Sequence, residues 1–293
     1  MKKYLTMSSL GSNGRTGNII FQINLLLYIS DKYNYKILLT KEQNKMIKKF
    51  CLLDFDYIDN IQFIKYQEKE EFGDPKLDKF LENNQSNLDI SGYFQNFKYL
   101  HHKYLKTMFN FDKYNNLNEH LLKYKPILVG IHIRLGDYIT TYKNVFNSIA
   151  NWSMDPNLII KNIIDIYKRK FSNVKFLIFS DDIELCQQKF NIEDVEYNTL
   201  KNDSYTDLFM LSQCDHFILT NSTFGYWSYI LNIIKNNNIK NTYCFFPDTF
   251  FLHDSEYGKY NNKIINSYFK NNMNVFLYST SSLDIKHVSK VLG

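Results

Sequence analysis

Short apolar runs recur along the chain between mixed polar segments, and they switch between strand and helix periodicity. Residues 3–7 predict a short strand. Gly11, Gly14 and Gly17 punctuate a loop, and residues 19–29 form a dense apolar stretch that predicts a helix. Residues 36–40 predict a second strand, 42–50 a polar helix and 61–64 a further strand. This alternation predicts a Rossmann-like half with a buried parallel sheet. Residues 68–87 are charged and rich in asparagine, with Gly73-Asp74-Pro75 as a turn signal, and read as a surface segment. A helical stretch running to about Tyr124 leads to Lys125-Pro126, just ahead of the apolar run 127–133. The predicted domains are therefore 1–124 and 125–293.

The second half alternates more plainly. Asp155-Pro156 predicts a cap and first turn for a helix with Ile159, Ile163, Ile166 and Tyr167 on one face. Residues 174–179 predict a strand ending in Ser180-Asp181-Asp182, followed by a short helix to Phe190. Ser204 with Asp207 reads as a capping box opening a helix over 205–214. A strand over 217–220, a loop over 221–225, a helix over 226–235 and a closing strand over 243–246 complete the pattern. The expected fold is α/β, with two doubly wound halves and a cleft between them.

Composition narrows the function classes. Hydrophobic residues at 44% and charged residues at 22% exclude wholesale disorder. The net charge is +5, from 35 basic and 30 acidic residues, with no dense Lys/Arg block, so a nucleic-acid partner is not expected. Cys51, Cys186, Cys214 and Cys244 lie far apart and read as reduced core thiols. No stretch of about 20 apolar residues predicts a membrane span. The apolar run at residues 1–7 is too short for a signal peptide, and a cytoplasmic location is expected.

Ligands of such sheets gather at the carboxyl ends of strands, where three segments carry suitable atoms. In Ile131-His132-Ile133-Arg134-Leu135-Gly136-Asp137-Tyr138, His132 and Arg134 share one strand face, and Gly136 permits close approach to the backbone. Arginine offers paired planar donors for phosphate, although an ion pair between Arg134 and Asp137 is an equal reading. Thr220-Asn221-Ser222-Thr223-Phe224-Gly225 lies between strand and helix and suits an anion or plain capping. In Phe179-Ser180-Asp181-Asp182 the carboxylates suit a ribose, a guanine, a metal or a helix cap. The loop from Gly11 to Asn18 is not a dinucleotide fingerprint, and no P-loop occurs. Asp54-Phe55-Asp56 forms a D-x-D triplet in an acidic stretch and reads as a solvated turn.

Taken in order, these segments resemble glycosyltransferase family 11, the inverting α-1,2-fucosyltransferases. Gly14-Arg15-Thr16-Gly17-Asn18-Ile19-Ile20-Phe21-Gln22 is similar to the family's G-G-L-G-N-Q-x-F-Q, and Gly92-Tyr93-Phe94-Gln95-Asn96-Phe97-Lys98-Tyr99 to G-Y-[FW]-Q-S-x-K-Y. His132 to Tyr138 resembles H-x-R-R-G-D-Y, Phe179 to Asp182 resembles F-S-D-D, and Asp207 to Trp227 the family's C-terminal motif. The chain departs at Leu135, where the family usually has a second arginine.

The resemblance implies a GT-B arrangement of two Rossmann-like domains facing a central cleft, acceptor side first and GDP-sugar side second. It implies transfer of L-fucose from GDP-fucose to the C2 hydroxyl of a terminal galactose in a glycan, without a metal or other cofactor. Arg134 would hold the β-phosphate, with Asn18 and Asp137 as the further catalytic candidates. Gly14, Gly17, His132, Ser180, Asp181, Asn221, Ser222, Thr223 and Phe224 would line the donor. Leu135 keeps open a transferase using another GDP-deoxyhexose, and a catalytically silent glycan- or nucleotide-binding protein is the other alternative.

Overall fold

The computed structural model describes residues 2–58, 61–70, 72, 74–100, 102–109, 111, 112, 121, 123, 127–236, 241–269 and 274–287. The chain divides into two compact units, Met1–Phe111 and Asp112–Gly293. Tyr124 and Lys125, the predicted boundary, lie outside the described residues.

Unit 1 is built on strands β1 (Lys3–Thr6), β2 (Tyr35–Leu39), β3 (Asp56–Tyr57), β4 (Ile64–Gln67) and β5 (Leu88–Ser91). They form a parallel sheet in the order β3-β2-β1-β5-β4. Helix α1 (Thr16–Tyr33) is buried over most of its surface, with Ile20, Ile23, Leu25, Leu26 and Ile29 fully enclosed, as a helix apolar all round must be. It ends at Asn34 in the left-handed conformation, whose N–H returns to the Ser30 carbonyl. Helix α2 (Lys41–Ile47) opens with a reciprocal capping box between Thr40 and Gln43.

Three expectations for this half are corrected. The strand expected at 61–64 begins only at Ile64. The D-x-D triplet does not lie wholly in a turn, because Asp56 opens the exposed edge strand β3. Part of the supposed surface segment is helix α3 (Pro75–Asn83), which buries Leu77 and Leu81 one turn apart, with the Asp74 side chain accepting from the Lys76 N–H. The Asp-Pro pair there caps a helix and starts its first turn.

Unit 2 contains β6 (Ile127–Ile133), β7 (Val174–Ser180), β8 (Val195–Tyr197), β9 (His216–Leu219), β10 (Cys244–Pro247), β11 (Val275–Tyr278) and β12 (Ile285–His287). The sheet order is β12-β11-β10-β9-β6-β7-β8, parallel except for the antiparallel edge strand β12. Its helices are α5 (Gly136–Ile139), α6 (Pro156–Lys170), α7 (Ile183–Lys189), α8 (Ser204–Ser212), α9 (Thr223–Asn236) and α10 (Asn261–Tyr268), α4 (His102–Met108) belonging to unit 1. Ile159, Ile160, Ile163 and Ile164 of α6 pack with Val129, Ile131 and Ile133 of β6 in one core.

Here too the structure corrects details. Helix α8 is capped by Asp203, which accepts from the Thr206 N–H, so Ser204 and Asp207 form no capping box. Helix α9 starts at Thr223, inside the expected loop. Strand β10 does not close the sheet, since α10, β11 and β12 follow. All four cysteines are buried and form no disulfide, as expected for core thiols.

Candidate active site

Counted within unit 2, the parallel strands run 3-2-1-4-5-6, and the chain reverses its direction of travel across the sheet between β6 and β9. That reversal leaves a crevice at the carboxyl ends of these two strands, the usual seat of a ligand in such sheets. Arg134 follows the last residue of β6, and Thr220 follows β9. The Arg134 N–H donates to Thr220 Oγ1 at 2.9 Å, and the Thr220 N–H to the His132 carbonyl at 3.1 Å, so the two strand ends are laced together.

The Arg134 guanidinium is 12% exposed and faces two carboxylates. Nη2 donates to Asp137 Oδ1 at 2.6 Å, and Nη1 lies 2.9 Å from Asp181 Oδ2. Its Cζ sits 5.1 Å from the centroid of the Tyr138 ring, which stacks on Phe146 at 3.9 Å. Asp181 uses its other oxygen to accept the Leu135 N–H at 2.8 Å. Gly136 makes room for this: at φ +25, a Cβ there would fall 2.3 Å from Asp181 Oδ2. The guanidinium carries more N–H donors than two carboxylate contacts use, so it can still bind an anion. Leu135 turns the other way, fully buried in the core that holds Ile133 and Trp152.

His132 is 3% exposed and its ring stacks on Phe224 at 5.1 Å. Burial, reinforced by the nearby Arg134 charge, holds it down to about 3, so it is a neutral imidazole at physiological pH. Its buried Nδ1 makes no hydrogen bond with a described residue. At the head of α9, Ser222 Oγ accepts the Phe224 N–H, a local cap, and Thr223 is half-buried. Asn221 turns away, its Nδ2 donating to the Phe250 carbonyl at 2.7 Å. That carbonyl also accepts the Asn147 N–H, while Asn261 binds the N–H groups of Phe250 and Phe251 and donates to the Phe251 carbonyl. Three asparagines thus fix a rim beside the strand ends.

Ser180 Oγ accepts the Asp182 N–H, and Asp182 caps α7 through the Leu185 N–H. Of the two adjacent carboxylates, Asp181 faces the arginine and Asp182 the helix. Beyond them Asp207 accepts from Asn198 and Asn202 at 2.9 and 3.0 Å, and burial raises its pKa. Among the described residues no group of three or more His, Cys, Asp or Glu side chains is placed to hold a metal ion. Nor is any described helix long and apolar enough to cross a membrane.

Unit 1 has its own reversal between β1 and β5, and two motifs meet there. Gly11 and Gly14 take φ of +88 and +84, and a Cβ on Gly14 would lie 1.8 Å from Asn18 Nδ2. Gly17 is buried in the first turn of α1. Gln95 Nε2 donates to Asn18 Oδ1 at 2.8 Å, and Gln22 Nε2 to the carbonyls of Asn13 and Gly92 at 3.1 and 3.0 Å. Glu68 accepts the N–H groups of Tyr93 and Phe94, with Phe94 at φ +50. A bulky residue in that region carries strain of about 1–3 kcal/mol. Sequence reading placed Asn18 and Arg134 among the site candidates, whereas Gln95, Thr220 and Tyr138 stood there only as members of motifs, with no role assigned. Only the shared motifs hinted at these contacts.

The fold and site define a doubly wound α/β protein, with a carboxylate-held arginine at the reversal point of its second sheet. The chain belongs to glycosyl transferase family 11, whose profile matches residues 1–264. It is 30% identical over 104 residues to galactoside alpha-(1,2)-fucosyltransferase 2 of Rattus norvegicus, covering 34% of this chain and 28% of that protein. It is 28% identical over 137 residues to galactoside 2-alpha-L-fucosyltransferase Sec1 of Mus musculus, covering 42% of this chain and 36% of that one. The chain thus spans well under half the length of these curated relatives. Among solved structures, fucosyltransferase NodZ from Bradyrhizobium aligns with a TM-score of 0.49 at 11% identity, over 79% of this chain and 93% of that one. The two sheets, parallel except for β12, bear out the α/β class with two Rossmann-like units.

Proposed function

We propose that this protein is a galactoside α-1,2-fucosyltransferase, an inverting enzyme that moves L-fucose from GDP-β-L-fucose to the C2 hydroxyl of a terminal galactose. One observation carries the reading beyond family membership: Arg134 stands at the β6/β9 reversal, oriented by Asp137 and Asp181. Four buried thiols outside any disulfide suit a reducing compartment such as the cytoplasm.

The galactose C2 hydroxyl attacks the anomeric carbon of fucose from the side opposite GDP, and its proton is released to solvent as the new C–O bond forms. The C–O bond to the β-phosphate breaks, and its electron pair passes to GDP. Arg134 neutralises that growing charge, a contribution worth about 3–4 kcal/mol for one well-placed donor. Its two carboxylates fix the guanidinium before the donor arrives, so little reorganisation remains for the reaction itself. Asp137, bound to Arg134 Nη2, serves as a positioning residue. Neutral His132 and Phe224 form a flat, uncharged wall, and the head of α9 offers N–H groups to the diphosphate. No metal enters any step.

The test is incubation with GDP-fucose and a set of β-galactosides, followed by linkage analysis. The expected product carries α-1,2-linked fucose with one GDP released per transfer. Intact GDP-fucose with every galactoside refutes the reading. Leu135, apolar and buried where the family usually has arginine, favours a second reading in which another GDP-deoxyhexose is the donor. GDP release across a donor panel decides between them. Calorimetry showing GDP or glycan binding with zero turnover marks a silent binder.

A further inference from the structure

A parallel ladder spaces its bonds evenly. After the Thr220 N–H has donated to the His132 carbonyl at 3.1 Å, the next rung would run from the Arg134 N–H to the Thr220 carbonyl. A side chain replaces that rung. The Arg134 N–H donates to the Thr220 hydroxyl oxygen at 2.9 Å, and the Thr220 carbonyl accepts the Ser222 N–H at 2.8 Å. Threonine hydroxyls end regular structure in this way, by competing with the backbone for a partner. The exchange releases the β9 chain into the head of α9 while the β6 chain stays attached. Thr220 is 1% exposed, so its oxygen does this out of reach of bulk water.

Strand β6 lies between β9 and β7, and its departing chain is pinned from both sides. On the β9 side Thr220 holds the Arg134 N–H, and on the β7 side Asp181 takes the Leu135 N–H at 2.8 Å. Consecutive peptide N–H groups are thus fixed by side chains from both neighbouring strand ends, at the residue whose guanidinium faces the crevice. Asp137 and Asp181 hold the tip of that side chain, and Thr220 holds its root. We infer that Thr220 is a positioning residue of the transfer, its hydroxyl fixing the backbone from which Arg134 reaches the donor diphosphate. The same residue ties that backbone to the head of α9, where Phe224 stacks on His132. The guanidinium and the helix's first N–H groups therefore keep one spacing. A shift of about 1 Å in such a group costs about a hundredfold in rate, so a fixed root has a functional consequence. This role rests on the transferase reading for its ligand, the diphosphate of GDP.

The experiment titrates GDP by calorimetry into the full chain, Thr220→Val, Thr220→Ser, Arg134→Ala and the Thr220→Val, Arg134→Ala double variant. Valine matches threonine in shape but leaves the buried Arg134 N–H without its acceptor, whereas serine keeps the acceptor. Thr220→Val should weaken GDP binding roughly tenfold, and Thr220→Ser should stay within about threefold of the parent. In the Arg134→Ala background Thr220→Val should change affinity by less than about twofold, because residues that act through one another are not additive. A threonine that only supports the fold would weaken binding by the same factor in both backgrounds, and that result overturns the proposal. So does unchanged affinity in Thr220→Val, an equal loss in Thr220→Ser, or failure of the parent protein to bind GDP. Melting curves establish that the variants are folded. Thr220→Ala, which lacks the hydroxyl and adds no bulk, replaces a valine variant that does not fold. GDP release from GDP-fucose by the parent protein is read separately. GDP binding with the expected coupling but no turnover sinks the transferase reading alone. Turnover with equal factors in both backgrounds sinks this one alone.

Discussion

Asp181 Oδ2 lies 2.9 Å from Arg134 Nη1, while the same carboxylate takes the Leu135 N–H with its other oxygen. One side chain from β7's end therefore sets both the charge and the backbone at β6's end. Asp181→Asn should lower kcat/KM for the donor by about a hundredfold, the scale on which a misplaced charge costs rate. Gly136→Ala should reproduce the defect by driving a Cβ into Asp181. Donor-dependent GDP release checks both, and wild-type rates in both would remove Asp181 from the site.

Leu135→Arg would restore the doublet usual in the family, but the side chain here is fully buried in the apolar core. The variant should lose several kcal/mol of stability, since a charge buried without a partner cannot be solvated. Urea unfolding reads this directly, and an unchanged midpoint would show that the side chain escapes to the crevice.

Gly14→Ala meets two obstacles, the positive φ and the Asn18 amide. It should cost about 1–2 kcal/mol through the backbone alone, with a further loss from displaced Asn18. The Gly14→Ala, Asn18→Ala double variant should recover only that second part, a non-additivity measurable by calorimetry.

His216 is 6% exposed, stacks on Phe171 and Tyr167, and accepts the Tyr243 N–H on Nδ1. Burial holds its pKa down to about 4. The unfolded chain takes up its proton near 6.5 and the folded one only near 4. Stability is therefore full above pH 6.5, falls as the pH drops through that window, and levels off below it. The share of this residue is about 3 kcal/mol. Denaturation at pH 7.5 and 4.5 should show a loss that His216→Asn reduces by about 3 kcal/mol, the buried neutral His132 accounting for a comparable remainder.

Turnover in excess EDTA should equal that in its absence. Asp54 and Asp56 pair with Lys48 and Lys36 on the surface of unit 1. A collapse of activity on chelation would return both carboxylates to consideration as metal ligands.

Strong periodicity made most of the architecture legible. The run at 127–133 and the Asp155-Pro156 start lie within one or two residues of β6 and α6. Helix α3 was hidden because its exposed lysines and acids outweigh Leu77 and Leu81, the two positions that anchor it. Strand β8 was hidden because it is a three-residue edge with no buried residue. At the site, motif spacing located Arg134, Asp181 and Asn221. Their partners depend on tertiary contact: Asp181 meets the arginine across adjacent strands, and Asn221 grips a loop that no local pattern brings near.

The rim around Phe250 and Phe251 carries a chemical liability. Asn147 and Asn221 each precede a serine, a small neighbour that favours succinimide formation. Conversion of Asn221 to aspartate would set a negative oxygen against the Phe250 carbonyl it now feeds, and asparagine is among the thermolabile residues for this reason. Ageing at Asn221 should register as a charge variant with a loosened 250–251 segment beside the crevice, while the rest of the sheet still melts normally.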